Sequence, residues 1–572
     1  MDKEYKNLVL GCQNCQKDFI IEPDDFSFYE KIKVPPPTFC PECRMIRRMT
    51  WRNERSFYKR KCDFTGESIV SVFSPDKPYK IYSSKIWWGD SWDGIDYGVV
   101  YDFKNNFFNQ FDSLLKKVPL MNLYGLHTTV INSDYTNMVS NLKNSYMVTY
   151  ADFSENCVYG SFVNNSKDCV DNSMVNKSEL CYETVNCKKC YRTYYSVDCE
   201  DCVDVLFSKN CIGCSNCLNC VNLRSKNYCI DNIQYTKEEY EKFINSITPF
   251  ESDKIKELKL KAYNFWMKFP VRYLHGNHNV DVSGDYIYNS KNSHNCYVVG
   301  DLENCKYCSY VTPDAGGLKD SYDSTHFVIQ SELIYESLQS GHLASRTLFS
   351  FLAISGVRDV EYCAMIVNCK NCFGCVGIKN KQYCILNKQY TKEEYFKLRE
   401  KIIEDMNKNP YVSKSGLIYK YGEFFPEELS PFGYNETSAQ ELIPLNKEKS
   451  SIKGYKWYEK IDNQYKTTIL SSKLPKKISE VSNSILEEII LCEESNKAYK
   501  IFPLELDFLR KTGLPLPNKH PELRHQERSQ FINKPLFYNR KCAKCEKDIQ
   551  TSYSPDRPEI VYCEKCYQQE VY

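Results

Sequence analysis

The chain has 572 residues, enough for several domains with cores of their own. Lysine plus arginine number 75 and aspartate plus glutamate 74, which argues against a globally basic nucleic-acid binder and leaves only a local patch open. Aromatics make up 14%, led by 45 tyrosines, which argues against a disordered chain. The opening MDKEYKNLVLGC has neither an apolar h-region nor a small-residue cleavage site, and no run of about 18 apolar residues follows. The 30 cysteines are therefore expected in the cytoplasm as free thiols or metal ligands, with no membrane contact.

Residues 1–100 open with two CxxC knuckles, Cys12/Cys15 in CQNC and Cys40/Cys43 in CPEC. Each such turn aims two thiolates at one point, and two of them complete a tetrahedral zinc site. After the second knuckle Arg44, Arg48, Arg52, Arg55 and Lys59 step by three or four. On a helix they make one basic stripe, extended to Lys61 and interleaved with Trp51, Phe57 and Tyr58, a pattern suited to phosphate backbone and base stacking. A solvated helix face, or arginines packed on acidic neighbours, is the plainer explanation.

Residues 101–235 form the first of two repetitive blocks. Tyr135, Tyr146, Cys157, Cys169, Cys181, Cys190, Cys202 and Cys211 mark a short, nearly regular beat. Short β-prone stretches alternate with Asn, Ser, Asp and Lys, and asparagine both tolerates left-handed backbone and stacks on itself. A short period of this kind predicts a parallel β-helix. At about 3.3 Å per residue a one-unit ring would be about 36 Å around and admit only small side chains. The Tyr, Phe and Met in the repeat therefore point to two units, about 22 residues, per rung.

A helical cap is predicted over 236–275, a second solenoid block over 276–390, and helix plus polar linker over 391–490. The blocks match at NCLNCVNLRSKNYCIDNIQYTKEEY (216–240) and NCFGCVGIKNKQYCILNKQYTKEEY (371–395). Thr236 with Glu239 and Thr391 with Glu394 read as capping boxes, starting helices over about 236–268 and 391–406 that cover the solenoid ends. The second block is less regular between Pro313 and Val360. The densest thiol run is Cys211, Cys214, Cys217 and Cys220, echoed by Cys369, Cys372 and Cys375. Packing inside a β-helix, further zinc sites and an iron–sulfur cluster all remain open for these; after Cys217 the ferredoxin spacing and its proline are missing. His275 and His278 form a lone HxxH expected at the surface.

Residues 491–572 repeat the amino-terminal module at an offset of 480: Cys12 meets Cys492, Pro41-Glu42 meets Pro521-Glu522, and Arg60-Lys61-Cys62 meets Arg540-Lys541-Cys542. The copies have decayed in complementary ways. The second amino-terminal ribbon keeps Cys62 but has Thr65, Ser83 and Ile86 at the other ligand places. The first carboxy-terminal ribbon keeps Cys492 beside Ser495, His520 and Leu523, while Cys542, Cys545, Cys563 and Cys566 are intact. Two structural zinc ions are expected, at sites closed to substrate.

Residues 8–44, with CQNC, Phe19, Phe28-Tyr29, the prolines and CPECR, resemble the bacterial "probable zinc-ribbon" domain family. The ribbon–middle–ribbon arrangement resembles uncharacterised cysteine-rich proteins of metagenomic bacterial genomes. The resemblance implies zinc and no catalytic residue; members keep cysteines where this chain has Thr65, Ser83 and Ile86. The fold expected is mainly β: a parallel β-helix in two blocks with helical caps, flanked by treble-clef/zinc-ribbon modules. The function expected is a non-enzymatic zinc-binding scaffold whose Tyr- and Asn-rich face meets a protein or RNA. The alternatives are nucleic-acid binding through Arg44–Lys61, a redox carrier using Cys211–Cys220, and a β-helix carbohydrate-active enzyme.

Overall fold

The computed structural model describes residues 6–311, 316–326, 328–459 and 465–571. The amino terminus folds as a hairpin, Leu8–Gly11 with Asp18–Ile21, followed by the helices Pro23–Ile32 and Pro41–Met49. Both helices begin on proline, whose missing N–H is harmless in a first turn. A second hairpin pairs Tyr58–Lys61 with Ser68–Ser71. Pro503–Thr512, Pro521–Ser529, Tyr538–Lys541 and Asp548–Thr551 reproduce their amino-terminal counterparts at the same offset. The duplication read in the sequence is thus a duplication of structure.

Between the end modules run two stacks of parallel strands. In the first, Ser161 pairs with Ser173, Ser173 with Val185, Val203 with Ser215 and Ser215 with Asn227, each a step of twelve along the chain. In the second, Lys291 pairs with Glu303 and Lys370 with Gln382 at the same step, while Ser345 pairs with Arg358 at one more. The chain therefore returns on itself after one sequence unit, and the expected two-unit rung is overturned. Pro313, where irregularity was expected to begin, lies outside the described residues; from Leu318 onward the longer steps account for it.

The backbone explains the short turn. From Asn141 to Asn210 every third residue has φ between 48° and 58°. Each such residue turns the chain, and four of them close a turn of twelve. The residue that follows a corner is buried and mostly small: Cys157, Gly160, Val163 and Ser166 in one turn, Cys211, Cys214, Cys217 and Cys220 in another. The bulky residues that seemed to need a wider rung stand at corners instead, Tyr150, Phe162 and Met174 at φ 55°, 57° and 58°. Left-handed backbone costs an L-residue roughly 1–2 kcal/mol, least for Asn and Asp. Here the corner N–H groups are tied to the preceding turn, Asn156 N to Lys143 O at 3.0 Å, and asparagines stack, Asn144 donating to Asn156 at 3.3 Å and Asn156 to Asp168 at 2.8 Å. Asn156→Val, a β-branched residue at φ 55°, is expected to lower stability by about 1–2 kcal/mol in denaturant titration, and Asn156→Gly by less.

Both stacks end alike. Asn232 and Asn387 bond in both directions with the backbone of Val221 and Val376. Both capping boxes form. The first helix breaks at Thr248-Pro249 into Lys237–Ile247 and Ser252–Trp266, and the second runs Lys392–Lys408. Residues 101–123, grouped above with the first block, contain the helix Phe107–Lys117, whose Phe107 packs on Tyr362 and Phe373 of the second stack, both at 5.2 Å. Beside it Gly94 approaches so closely that a Cβ would stand 2.5 Å from the Gly377 carbonyl oxygen. The segment expected as polar linker is core in part: Tyr419, Phe424 and Phe425 are wholly buried.

The stacks lie side by side in opposite sense. Tyr150 stacks on His326 at 5.0 Å and Phe162 on Tyr310 at 5.5 Å, so an advance along one is a retreat along the other. Tyrosines expected to meet a partner are in this way used inside the molecule.

Candidate metal centres and the joints around them

Cys12, Cys15, Cys40 and Cys43 bring their sulfurs within 4.8 Å of one another, as do Cys542, Cys545, Cys563 and Cys566. In each group the first knuckle turns between two hairpin strands and the second opens a helix. The Cys40 N–H donates to Cys12 Sγ at 3.3 Å and the Cys563 N–H to Cys542 Sγ at 3.2 Å. Cys15 and Cys40 stand 3.7 Å apart, sulfur to sulfur, and Cys545 and Cys563 likewise. All cysteines are free of disulfides. Four soft ligands converging on one point can hold a metal ion with no position left for substrate.

The degenerate ribbons keep the frame without the ligands. Cys62 still accepts from the Ser83 N–H at 3.3 Å, as Cys12 does from Cys40. His520 takes the place of Cys40 in the carboxy-terminal copy, but its Nδ1 accepts from the Glu522 N–H at 3.1 Å and caps the Pro521–Ser529 helix. Two groups of four are what the described residues assemble.

The thiols of the stacks are placed differently. Cys211, Cys214, Cys217 and Cys220 occupy the four sides of one turn, and Cys369, Cys372 and Cys375 three successive sides of the other stack. None of these belongs to a group whose ligand atoms gather within 4.8 Å among the described residues. Their sulfurs face carbonyl oxygens: Cys217 donates to Ser215 O at 3.4 Å, and Cys220 to Leu218 O at 3.4 Å and Cys229 O at 3.5 Å. Burial pushes the Cys305, Cys363 and Cys372 thiols up, while a hydrogen bond from Cys202 pulls Cys214 down, so the thiols of the columns share their protons. These residues behave as small apolar packing units.

The basic stripe turns inward, which corrects its reading as a nucleic-acid surface. Arg44, Arg48 and Arg52 are at most 1% exposed. Arg44 Nη2 meets Asp323 at 2.7 Å and Arg48 Nη1 at 3.1 Å, Arg47 meets Glu336 at 2.6 Å, and Arg52 meets Glu54 at 2.6 Å. Of the five stripe residues Lys59 is exposed and Arg55 half-buried. The carboxy-terminal copy repeats the joint, since Arg524 and Arg528, the counterparts of Arg44 and Arg48, both pair with Asp171. Asp323 and Asp171 are fully buried corner residues, at φ 53° and 57°. The docking is crossed, the amino-terminal module on the second stack and the carboxy-terminal module on the first. Sequence reasoning missed both aspartates. The signal available was that the second copy retains arginine at 524 and 528, the two positions that hold the joint.

Neither the protein-family models nor the curated proteins compared with the chain match it.

A further joint centres on His275, expected at the surface but only 16% exposed at its side chain. Its Nδ1 lies 2.9 Å from Asp285 of the second stack, and its Nε2 lies 3.7 Å from Asp198 of the first and 3.3 Å from the Tyr553 hydroxyl. Its ring stacks on Tyr286 at 4.3 Å. Burial alone would lower its pKa, but the Asp285 and Asp198 carboxylates outweigh burial and hold it at about 10. A folded-state pKa above the unfolded value of about 6.5 gives stability that is complete below about pH 6.5. That stability is lost as pH rises through about 10. The thermal midpoint is therefore expected to fall across that alkaline window, and less so in His275→Gln. An equal alkaline slope in both proteins would remove His275 as the cause.

Proposed function

We propose that this protein is a non-enzymatic, zinc-dependent scaffold of the cytoplasm. In this reading the two strand stacks are β-solenoids, and each is clamped by a treble-clef zinc-ribbon module from the far end of the chain. The modules are of the "probable zinc-ribbon" type, and the partner is another protein. The observation that carries the reading is the pair of convergent tetracysteine groups. Zinc bound by four thiolates at about 2.3 Å sets tetrahedral sulfur–sulfur edges near 3.8 Å. The 3.7 Å edges in both groups fit that ion. The amino-terminal joint gives the metal there a mechanical role, because the helix opened by Cys40 and Cys43 also carries the docking residues Arg44 and Arg48.

Metal and acid-labile sulfide per chain, measured on protein purified without oxygen, test this. Two zinc ions and no sulfide are expected. Iron with sulfide would replace the scaffold by an electron carrier, and zinc well above two would make the buried thiol columns a metal array.

A further inference from the structure

The two halves of the molecule are built alike but are not filled alike. In the amino-terminal half the groove between the ribbon module and its stack is closed by the chain itself. Gly422 N donates to the Tyr362 hydroxyl at 3.0 Å, Tyr421 lies against Phe349 at 6.0 Å, and the Glu423 carboxylate accepts from Arg47 at 3.0 Å. One aromatic ring, Tyr421, and one carboxylate, Glu423, are thus brought to the groove. In the carboxy-terminal half the corresponding walls are present: Tyr182, Tyr195 and Phe207 stand where the second stack has Tyr335, Phe349 and Tyr362, and Pro515 and Pro517 where the first module has Pro35 and Pro37. The Ser252–Trp266 helix crosses this groove, and a cavity of about 780 Å³ remains.

The charges around the cavity do not close on themselves. Seven lysines and arginines line it against three glutamates. Lys259 pairs with Glu183, Lys519 with Glu527, Arg557 with Glu559, and Arg524 and Arg528 with Asp171. Lys209 has no ion-pair partner among the described residues, although only 8% of it is exposed. Asp198 and Glu559 act on it from beyond ion-pair distance, and burial lowers its pKa. Arg524 Nε and Nη2 and Arg528 Nε also lack partners among the described residues. A buried ammonium and unmade guanidinium bonds are costly unless an anion meets them. Around them stand ring faces, Tyr195 stacked on Phe207 at 4.7 Å, with Trp266 beside Phe531 at 5.8 Å. A pocket of several hundred cubic ångströms with apolar walls and a few convergent polar groups is the usual form of a small-molecule site.

We propose that this cavity binds a small organic anion carrying a planar ring, the anion on Lys209 and the ring among Tyr195, Trp266 and Tyr263. The position matching Lys209 in the second stack is Ala364, and the position matching Arg47 is Glu527, so the open site holds its anion from the stack side, where the filled one holds Glu423 from the module side.

Calorimetric titration of the full, zinc-loaded chain tests this with adenosine 5′-monophosphate and indole-3-acetate, against adenosine and indole as neutral counterparts. At least one anion is expected to bind in the micromolar to low-millimolar range, and its neutral counterpart at least tenfold more weakly. Lys209→Gln should weaken the anion at least tenfold and leave the neutral ring unchanged. Tyr263→Ala, at a half-exposed mouth residue, should weaken both; it guards against Lys209→Gln acting through misfolding, which unchanged zinc content and thermal midpoint would also exclude. The proposal is overturned if neither anion binds, if the neutral rings bind as tightly, or if Lys209→Gln binds the anion as the natural chain does.

Discussion

Replacing Asp323 with alanine is expected to destabilise the protein by about 3–5 kcal/mol, the usual consequence of removing one partner from a buried ion pair. Asp323 is fully buried and meets Arg44 Nε at 2.9 Å, Arg44 Nη2 at 2.7 Å and Arg48 Nη1 at 3.1 Å. Glu336 would remain, but it stands 3.5 Å or more from both guanidiniums and already holds Arg47 at 2.6 Å. Two desolvated cations would then share one distant carboxylate. Urea denaturation gives the magnitude, and limited proteolysis near residue 53 shows whether the amino-terminal module has come away. Joint substitution supplies the control: Asp323→Leu with Arg48→Met should cost less than Asp323→Ala alone, because the pair leaves together. Asp171→Ala should cost less, because Glu505 still meets Arg524 at 2.9 Å, and the two losses should add, since no residue is shared. A loss under about 1 kcal/mol for Asp323→Ala would mean that water reaches the arginines and that the joint is not dry.

How far the sequence spoke for this fold depended on the length scale of the signal. The CxxC pairs, the constant offset between the two end modules and the capping boxes are local or exact patterns, and each has its counterpart in the structure. The repeat was visible, but its unit was taken as a whole strand with its turn. The physical unit is three residues: a left-handed corner, a small inward residue and an outward one. The cysteine steps from Cys157 to Cys211 are all multiples of three, so the period was present in the spacing. Tyrosine obscured it, because Tyr150 and Tyr159 occupy corners usually given to Asn or Gly. Ladder bonds to the neighbouring turns hold those corners, and single-residue propensity does not contain that contribution. The basic stripe failed for another reason. Helical spacing puts Arg44, Arg48 and Arg52 on one face but does not say what the face meets, and Asp323 comes from the far half of the chain. The groove over the first stack, with Lys209 unpaired among the described residues, belongs to the same class of feature, visible only once both halves are folded.

Loss of one zinc ligand is expected to have the other large effect, and at one end of the chain only. Cys15→Ser should reduce bound zinc from two ions to one, and Cys15→Ser with Cys545→Ser to none. A structural tetrathiolate site contributes an apparent binding free energy on the order of 10–16 kcal/mol at neutral pH, far beyond what the short hairpins around it supply. The apolar residues of the amino-terminal ribbon, Phe19, Ile21, Phe28 and Ile32, are buried chiefly in a core shared with the second stack, Phe28 stacking on Tyr322 at 4.0 Å. Without the ion the Cys12–Cys15 turn has no reason to hold the Cys40–Cys43 helix start, and that helix carries Arg44 and Arg48. Cys15→Ser should therefore expose the amino-terminal module to protease while the Asp171 joint at the other end stays closed; Cys545→Ser should open the terminal ribbon alone, because Arg524 and Arg528 lie on the Pro521–Ser529 helix, which carries none of the four carboxy-terminal ligands. Native mass spectrometry counts the ions and proteolysis with terminal sequencing locates the opened module. If Cys15→Ser still bound two ions, the second would have to sit among the stack thiols, and their packing role would be wrong. If it lost one ion yet resisted protease, the arginine joint alone would hold the module, and zinc would be a passenger rather than the clamp.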